Sequence, residues 1–423
     1  MPAFATWHEY EQRQWLKPAT YQAYVQQKLS KALAWATKEV PYYRDLALGS
    51  NLTHYPVLDK KQIWNSFDEL QARERPAGGA YQISSGGSTG HRVHVLVDRS
   101  ERTARLASTW RGDCFPGQSG EPPILPWSGT MYFWGASFLS KGSWQRVSKP
   151  LAAWIFNRHV LTSYTLTPEL VQRYHAALIH RNPQRIIGYA SLLRRYAELA
   201  TELKLKPPRV RKVIASAEQL DPDAAMTIMN YFQAPLRQRY GCREAGDIAH
   251  QCEYGNWHLH SDHIYPEVLR ADGTIASQGE GRLLLTKLNN RVMPLVRYDI
   301  EDLVYLGGKP CPCGRALPVM SKLSGRVAAQ LSCPDGRRVS SLAVAESLRN
   351  IPVREFRLIQ EDEHHCRWLL LPAAGLTPDL VDKAHAKLDR LIGGGLSVQV
   401  ELVDEIPPLP SGKRMSIICR LLN

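Results

Sequence analysis

Short apolar strands alternating with amphipathic helical segments between residues 162 and 240, turn-rich β patterning from 257 to 306, and a change of character after Gly325-Arg326 predict an α/β protein. Its large N-terminal α/β domain should hold a mostly parallel sheet plus a β-rich subdomain. A small C-terminal α+β domain should follow, with boundaries at 1–324 and 325–423.

Residues 1 to about 75 read as helical and polar, broken at Val40-Pro41-Tyr42-Tyr43-Arg44 and at Pro56-Val57-Leu58, with Asp59 as N-cap of a segment from Lys60 to Leu70. Tyr81 and Ile83 lead into seven small residues, Ser84-Ser85-Gly86-Gly87-Ser88-Thr89-Gly90, and the alternation Val93, Val95, Val97 reads as a half-buried strand. Trp127 to Trp144 mixes aromatic and small residues without a clean period, a composition that suits a pocket wall or an irregular core segment. Thr167 caps a helix with Pro168 at its first position, and Leu170, Val171, Tyr174, Ala177 and Leu178 share one face. Arg185-Ile186-Ile187 forms a strand ending at Gly188-Tyr189, followed by a helix from about Ser191 to Leu203. Val213-Ile214-Ala215 leads to Ser216-Ala217-Glu218, Asp221-Pro222 opens another helix, and Leu236 to Tyr240 is the next strand. In parallel sheets ligands sit beyond the carboxyl ends of the strands. Here those ends carry Tyr189, Glu218 and Tyr240 to Glu244. The C-terminal unit reads as a helix (Ser341 to Arg349), strands at Glu355 to Ile359 and Arg367 to Leu371, a helix capped by Thr377-Pro378, and a strand from Val398 to Val403.

With 423 residues, 44% apolar and 22% charged, the chain has room for two or three domains and an ordinary globular core. No apolar run approaches the roughly 18 residues of a membrane span. The N-terminus lacks a basic region followed by an apolar block, so no signal peptide is visible and a cytoplasmic setting is expected. Eight cysteines in so long a chain do not suggest a disulfide framework. The net charge is +13, with Arg181 to Lys212 and Arg237 to Arg243 among the more basic parts. No motif with interleaved aromatics is present, so ATP, an acidic substrate or a phosphate-bearing acceptor accounts for the charge better than nucleic acid does.

The Ser/Gly/Thr stretch offers hydroxyls and unobstructed backbone N–H groups, the surface a polyphosphate requires. It lacks the Gly-Lys-Ser/Thr ending of the common nucleotide loop. Taken in chain order, the other special stretches are Ser216-Ala217-Glu218, Tyr240-Gly241-Cys242-Arg243-Glu244, Arg297-Tyr298-Asp299-Ile300-Glu301-Asp302, Gly325-Arg326 and Ser411-Gly412-Lys413. In this order the chain resembles the adenylate-forming superfamily of acyl-CoA synthetases and adenylation domains, and within it the phenylacetate–CoA ligase and CapK-like branch.

The resemblance implies that a carboxylate attacks the α-phosphorus of ATP with loss of pyrophosphate, after which the acyl group passes to CoA. It implies that Ser84, Ser85, Gly86, Gly87, Ser88, Thr89 and Gly90 wrap the β- and γ-phosphates and that Glu244 holds Mg²⁺. Asp302 would accept the ribose hydroxyls, and Arg326 would contact ribose or phosphate from the hinge. Tyr240 would stack on adenine, with Ser216, Ala217 and Glu218 lining that ring. Lys413 would bridge the attacking carboxylate and the α-phosphate, delivered by a swing of the C-terminal domain. Trp134 to Phe138, Tyr189 and the segment from Ala215 to Glu218 would wall the acyl pocket, whose aromatic content suggests an aryl acid.

The chain also departs from the family pattern. His91 follows Gly90 where a Lys is usual, Glu301 stands in place of the Gly before the ribose Asp, Val327-Ala328-Ala329 replaces an Asp-Asp hinge pair, and Cys333-Pro334-Asp335-Gly336-Arg337 stands where a Gly-rich turn helps shape a pantetheine channel. These differences bear on the second step. An amine, a carrier protein or a hydroxyl therefore stands beside CoA as acceptor, and a non-catalytic, zinc-stapled binding module is a further alternative. Cys252, His258, Cys311 and Cys313 make a complete Cys₃His set for tetrahedral Zn²⁺, with His250, His260 and His263 as alternative ligands. The acid, the acceptor and the oligomeric state stay open at this level, a homodimer among the options.

Overall fold

The computed structural model describes residues 2–44, 51–76, 78–84, 93–134, 157–162, 166–326, 330–335, 338–340, 343–344, 347–348, 350–393, 395–407, 409 and 415–421. The chain divides into two compact units, one of residues 1–300 with 304–323 and one of residues 301–303 with 324–423.

The first unit opens with α1 (Pro2–Arg13), α2 (Pro18–Glu39), α3 (Pro41–Arg44) and α4 (Lys60–Asn65). Asp59 forms a full capping box with Gln62, but α4 stops at Asn65, short of the expected Leu70. Next come the antiparallel strands β1 (Tyr81–Ser84) and β2 (His94–Val97), with Val93, Val95 and Val97 buried. After α5 (Arg99–Asp113) the chain runs β3 (Thr130–Trp134), β4 (Arg158–Thr162), α6 (Pro168–Arg181), β5 (Arg185–Tyr189), α7 (Ala190–Glu202), β6 (Lys212–Ser216), α8 (Pro222–Phe232) and β7 (Leu236–Cys242). The strands β8 (Gly246–Gln251), β9 (Trp257–Leu259), β10 (Ile264–Leu269), β11 (Ile275–Ala276), β12 (Gly279–Lys287), β13 (Tyr298–Leu306) and β14 (Val319–Arg326) follow, with residues 301–303 of β13 and 324–326 of β14 counted to the second unit.

These strands form one twelve-stranded sheet in the order β11-β10-β12-β13-β14-β9-β8-β7-β6-β5-β3-β4. From β4 to β7 every pairing is parallel. At β7 the chain turns straight back into β8, and the pairings β7–β8 and β8–β9 are antiparallel. The mostly parallel sheet and the β-rich subdomain expected from the sequence are therefore one continuous sheet. Thr167 and Asp221 cap α6 and α8 through Leu170 N and Ala224 N, each with Pro at the start, and Asn182 and Gln233 close these helices in the left-handed region.

The two faces of the parallel block differ. On one, Met131, Phe133, Ile186, Val213 and Ala215 pack against Tyr174, Leu178, Leu193, Tyr196, Ile228 and Phe232 of α6, α7 and α8. The other carries Tyr132, Ile187 and Ile214, and toward the strand starts a polar row, Thr130, Arg185 and Lys212. Arg185 and Lys212 are each only 1% exposed. They donate to the carbonyl of Asp113 at 3.0 and 3.1 Å, and to those of Ile124 and Phe115. Two cations of the basic stretch 181–212 thus satisfy carbonyls at and beyond the C-terminus of α5, which lack intrahelical partners and carry the negative end of the helix dipole. They are core residues and contribute nothing to a charged surface. Gly112 in the same helix end is required by close approach, since a Cβ there would lie 2.1 Å from the ring of His250.

The second unit holds the pair β15 (Gln330–Ser332) and β16 (Arg338–Ser340), then β17 (Val353–Gln360), β18 (His365–Pro372), α9 (Pro378–Ile392), β19 (Ser397–Leu402) and β20 (Ile417–Cys419). The last four strands order β19-β18-β17-β20, and Ala384, Leu388 and Ile392 of α9 bury against Leu358, Trp368 and Leu370. Thr377 stands at the N-cap of α9 but its side chain makes no capping hydrogen bond. Of the helix expected over 341–349, only 343–344 and 347–348 are described. No described helix is long and apolar enough to cross a membrane.

Glu301 in β13 has φ of 64°. A side chain in that left-handed conformation costs about 1 kcal/mol, which glycine avoids. The position is the one where the resemblance leads to a Gly. Glu301→Gly is expected to raise the unfolding free energy by about 0.5 kcal/mol, after allowing for the greater freedom of Gly in the unfolded chain. A urea titration measures it, and a lower midpoint would show that contacts of the Glu301 side chain outweigh the backbone strain.

Candidate active site and metal-ligand cluster

The carboxyl edge of the parallel block carries one register row. Tyr189 pairs with Ser216 and Ser216 with Arg239, while Phe133 pairs with Gly188, so Trp134 continues the row on β3. The rings of Trp134 and Tyr189 lie 4.6 Å apart, and Ser216 Oγ accepts from Arg239 Nε at 3.2 Å. Tyr189 and Ser216 are buried, with 5% and 7% exposure. Three of the residues read as pocket or ring lining are thereby brought together, while Phe138 lies outside the described residues.

Ala217 has φ of 67°, so the chain reverses sharply at the end of β6. The Glu218 carboxylate accepts from Ser191 N at 2.8 Å and so satisfies an N–H at the start of α7, where Tyr189 occupies the N-cap without a side-chain bond. Glu218 thus has a capping role that the sequence reading did not contain. The Tyr240 ring meets Trp257 edge-on at 6.4 Å, and the residue is half-buried.

Glu244 sits in the turn between β7 and β8 with 6% exposure. Its carboxylate makes no hydrogen bond among the described residues. The turn is held through its backbone: Lys287 donates to the Glu244 carbonyl at 2.9 Å, and Arg105 donates to the carbonyls of Arg243 (2.7 Å) and Glu244. Glu101, fully buried, pairs with both cations, at 2.7 Å to Lys287 and 2.9 Å to Arg105. Burial would raise its pKa, but Lys287, His263 and Arg105 outweigh that and bring it down to about 2. Three charges that the sequence reading did not single out therefore fix the turn carrying the proposed Mg²⁺ carboxylate.

Ser84 ends β1, where its Oγ bonds His94 Nδ1 at 2.9 Å. Ser85, Gly86, Gly87, Ser88, Thr89, Gly90 and Lys413 lie outside the described residues. Asp302, on β13, is 7% exposed and belongs with the second unit, as does Arg326, which ends β14.

The cysteine–histidine set is fully assembled. One ligand atom from each of Cys252, His258, Cys311 and Cys313 lies within 4.8 Å of all the others. The Sγ atoms of Cys252 and Cys311 are 3.6 Å apart, too far for a disulfide and close to the ~3.8 Å separation of two thiolates around a tetrahedral ion with 2.3 Å Zn–S bonds. His258 Nδ1 donates to the carbonyl of Leu317 at 3.2 Å, which leaves the Nε2 lone pair facing Cys313 Sγ, also at 3.2 Å. Backbone N–H of Tyr254 and the amide of Asn256 donate to Cys252 and Cys311 sulfurs. A hydrogen bond shared between Cys252 and Cys313 pushes the Cys313 thiol down and the Cys252 thiol up. These donors fit a metal ion. The alternative ligands are engaged elsewhere: His250 and His260 bond each other at 2.8 Å, and His263 lies against the carbonyl of Ala245.

No protein-family model matches the chain. A stretch of 83 residues is 36% identical to a phenylacetate–coenzyme A ligase of Thermus thermophilus, and the match covers 19% of this chain and 19% of that protein. Among solved structures, a 2-hydroxyisobutyryl-CoA ligase in the post-adenylation state, in complex with R3-HIB-AMP, superposes with a TM-score of 0.73 at 16% identity, over 96% of this chain and 91% of that one. Acetoacetyl-CoA synthetase from Streptomyces lividans gives 0.55 at 14% identity, over 82% of this chain and 55% of that one. The amide bond synthetase McbA from Marinactinospora thermotolerans gives 0.53 at 16% identity, over 81% and 68%. Over nearly its whole length, then, the chain has the fold of the adenylate-forming acid–CoA ligases.

Proposed function

We propose that the protein activates a carboxylic acid with ATP as an acyl-adenylate and passes the acyl group to CoA. The observation that carries this reading is the carboxyl edge of the parallel strands: an aromatic wall of Trp134 and Tyr189 stands in one row with Ser216, on the sheet whose next turn presents Glu244. The attacking acid and ATP are both anions, so the site has to neutralise charge while holding an in-line geometry. In this reading Ser84 to Gly90 cradle the β- and γ-phosphates and Asp302 accepts the ribose hydroxyls. Arg326 contacts ribose or phosphate, Tyr240 and the Ser216-Ala217-Glu218 backbone flank adenine, and Lys413 neutralises the charge that develops between carboxylate and α-phosphate. Mg²⁺ held by Glu244 would draw charge from the phosphate oxygens. The acid is an aryl acid, in keeping with the two rings of the row.

An amine acceptor is the second reading, favoured by the fold likeness to an amide bond synthetase and by the absence of the Asp-Asp hinge pair. Zn²⁺ bound by Cys252, His258, Cys311 and Cys313 is a structural clamp and takes no part in the chemistry. The eight cysteines, none of them in a disulfide, suit a reducing, cytoplasmic setting.

Acid-dependent ATP–pyrophosphate exchange over a panel of aryl, acyl and amino acids tests the first step, and thioester formation with CoA present tests the second. Lys413→Ala is expected to lower exchange by about a hundredfold, the scale of one lost electrostatic stabiliser, with ATP binding retained. Full exchange by that variant would remove Lys413 from the reaction. No exchange with any acid, in protein that binds ATP, would sink the proposed activity.

A further inference from the structure

The row at the carboxyl edge ends in a charge that sequence reading did not flag. The Arg239 side chain is 9% exposed, and its only hydrogen bond among the described residues runs from Nε to Ser216 Oγ. Its Cζ lies 5.7 Å from the Trp134 ring centroid. Two carboxylates stand close without closing on it, Asp113 at 3.5 Å from Nη1 and Asp247 at 3.8 Å from Nε. His250 Nε2 meets Asp113 Oδ1 at 3.3 Å, and Thr109 Oγ1 donates to Asp247 Oδ2 at 2.5 Å, while Asp113 Oδ2, the oxygen that faces Nη1, is buried without a hydrogen-bond partner among the described residues. The guanidinium is thus neutralised through space while the N–H groups of both its Nη atoms stay without a hydrogen-bond partner among the described residues. Neither Nη atom is fully buried, so both keep contact with solvent and can be reached by a ligand's oxygen. The side chain as a whole is nine-tenths buried and lies beside an aromatic wall.

Resting on the proposed adenylation, we infer that Arg239 reads a hydrogen-bond-accepting oxygen on the acid, so that the substrates are aromatic acids bearing a ring oxygen (hydroxy, methoxy or oxo). The rings of Trp134 and Tyr189 supply apolar faces for the aryl plane, and the fork of Arg239 supplies the directional contact. A second carboxylate is the wrong partner, because Asp113 and Asp247 already place two negative charges at the guanidinium.

The test is pyrophosphate exchange with matched acids: benzoate and phenylacetate, their hydroxy and methoxy isomers, and terephthalate as a dicarboxylate. A hydrogen bond to a charged group in a desolvated site gives about a 10- to 100-fold preference. Wild-type kcat/KM should favour the best oxygen-bearing isomer over its unsubstituted parent by at least about tenfold, with terephthalate below both. In Arg239→Met the ratio should fall toward one, and in Arg239→Lys to an intermediate value. A wild-type ratio near one, or a ratio kept in Arg239→Met, overturns the inference. Where Arg239→Met does not fold, the wild-type ratio and Arg239→Lys decide. Absence of exchange with every acid sinks the adenylation reading instead, whereas equal exchange with substituted and unsubstituted acids sinks only the role of Arg239.

Discussion

Replacing Asp262 by alanine lowers the unfolding free energy by about 3–5 kcal/mol, the usual cost of removing one partner of a buried ion pair. Arg111 and Asp262 are both fully buried and face each other fork to fork, with two contacts of 2.8 Å. The Arg111 guanidinium also donates to His260 Nδ1 at 2.8 Å. That fixes the tautomers in sequence: His260 Nε2–H donates to His250 Nδ1, and His250 Nε2–H to Asp113. Without Asp262 the cation keeps only acceptors that carry no charge. Arg111→Met combined with Asp262→Leu removes both charges and should recover more than half of the loss, because the desolvation cost goes with them. Urea titrations of the three proteins measure this, and a loss under about 1 kcal/mol for Asp262→Ala would contradict a buried, uncompensated cation.

The same core sets an acid limit. His263 is fully buried, and burial brings its pKa to about 4 despite Glu101, with Arg105 and Lys287 reinforcing the shift. In the unfolded chain it titrates near 6.5. Between those values the unfolded state binds the extra proton, so its contribution to stability is complete above pH about 6.5 and is lost as pH falls toward 4. Glu101, at about 2 against an ordinary 4.5, adds its loss at lower pH. The urea midpoint should therefore start to fall below pH about 6.5, before carboxylates of ordinary pKa protonate.

How far sequence carries depends on whether a residue's partner is near it in the chain. Thr167-Pro168 and Asp221-Pro222 announce helices because a cap is satisfied by an N–H three residues away. The row of Tyr189 and Ser216 was legible because strand ends follow from the alternation of elements. Arg185 and Lys212 were not: each reads as one more surface charge until the end of α5, dozens of residues earlier, is folded onto the start of the strands. Arg239 was hidden by its neighbours, since Tyr240-Gly241 and Glu244 draw the eye while the meaning of Arg239 comes from Trp134, Asp113 and Asp247. Glu218 was read only for its backbone, because nothing in Ser216-Ala217-Glu218 shows that its carboxylate reaches the first turn of α7. The Cys₃His set was visible from residue type alone, since few other arrangements gather three thiols and an imidazole.

That set carries the other large expectation. Cys252 directly follows β8 and His258 lies within β9, on either side of the β8–β9 turn, and Cys311 and Cys313 lie in the connection from β13 to β14, so an ion held by all four joins segments more than fifty residues apart. Around it stand Tyr21, Val25, Phe115 and Leu317 as a small apolar cluster, with Tyr24, Tyr265 and Ala316 partly buried against it and Arg315 paired to Glu253 at 2.8 and 3.0 Å. So small a cluster gives these loops little hydrophobic support, and three sulfurs this close cannot all ionise without a cation between them. Protein purified without chelator should contain one zinc per chain by elemental analysis. Cys313→Ser should contain almost none and lose at least about 4 kcal/mol of stability, the linkage value for an ion present a thousandfold above its dissociation constant. His260→Gln, which leaves the four ligands in place, should keep its zinc. If the wild-type protein is metal-free and Cys313→Ser unfolds at the same urea concentration, the four residues pack as thiols and imidazole, and the clamp is held by Arg315–Glu253 and its apolar neighbours alone.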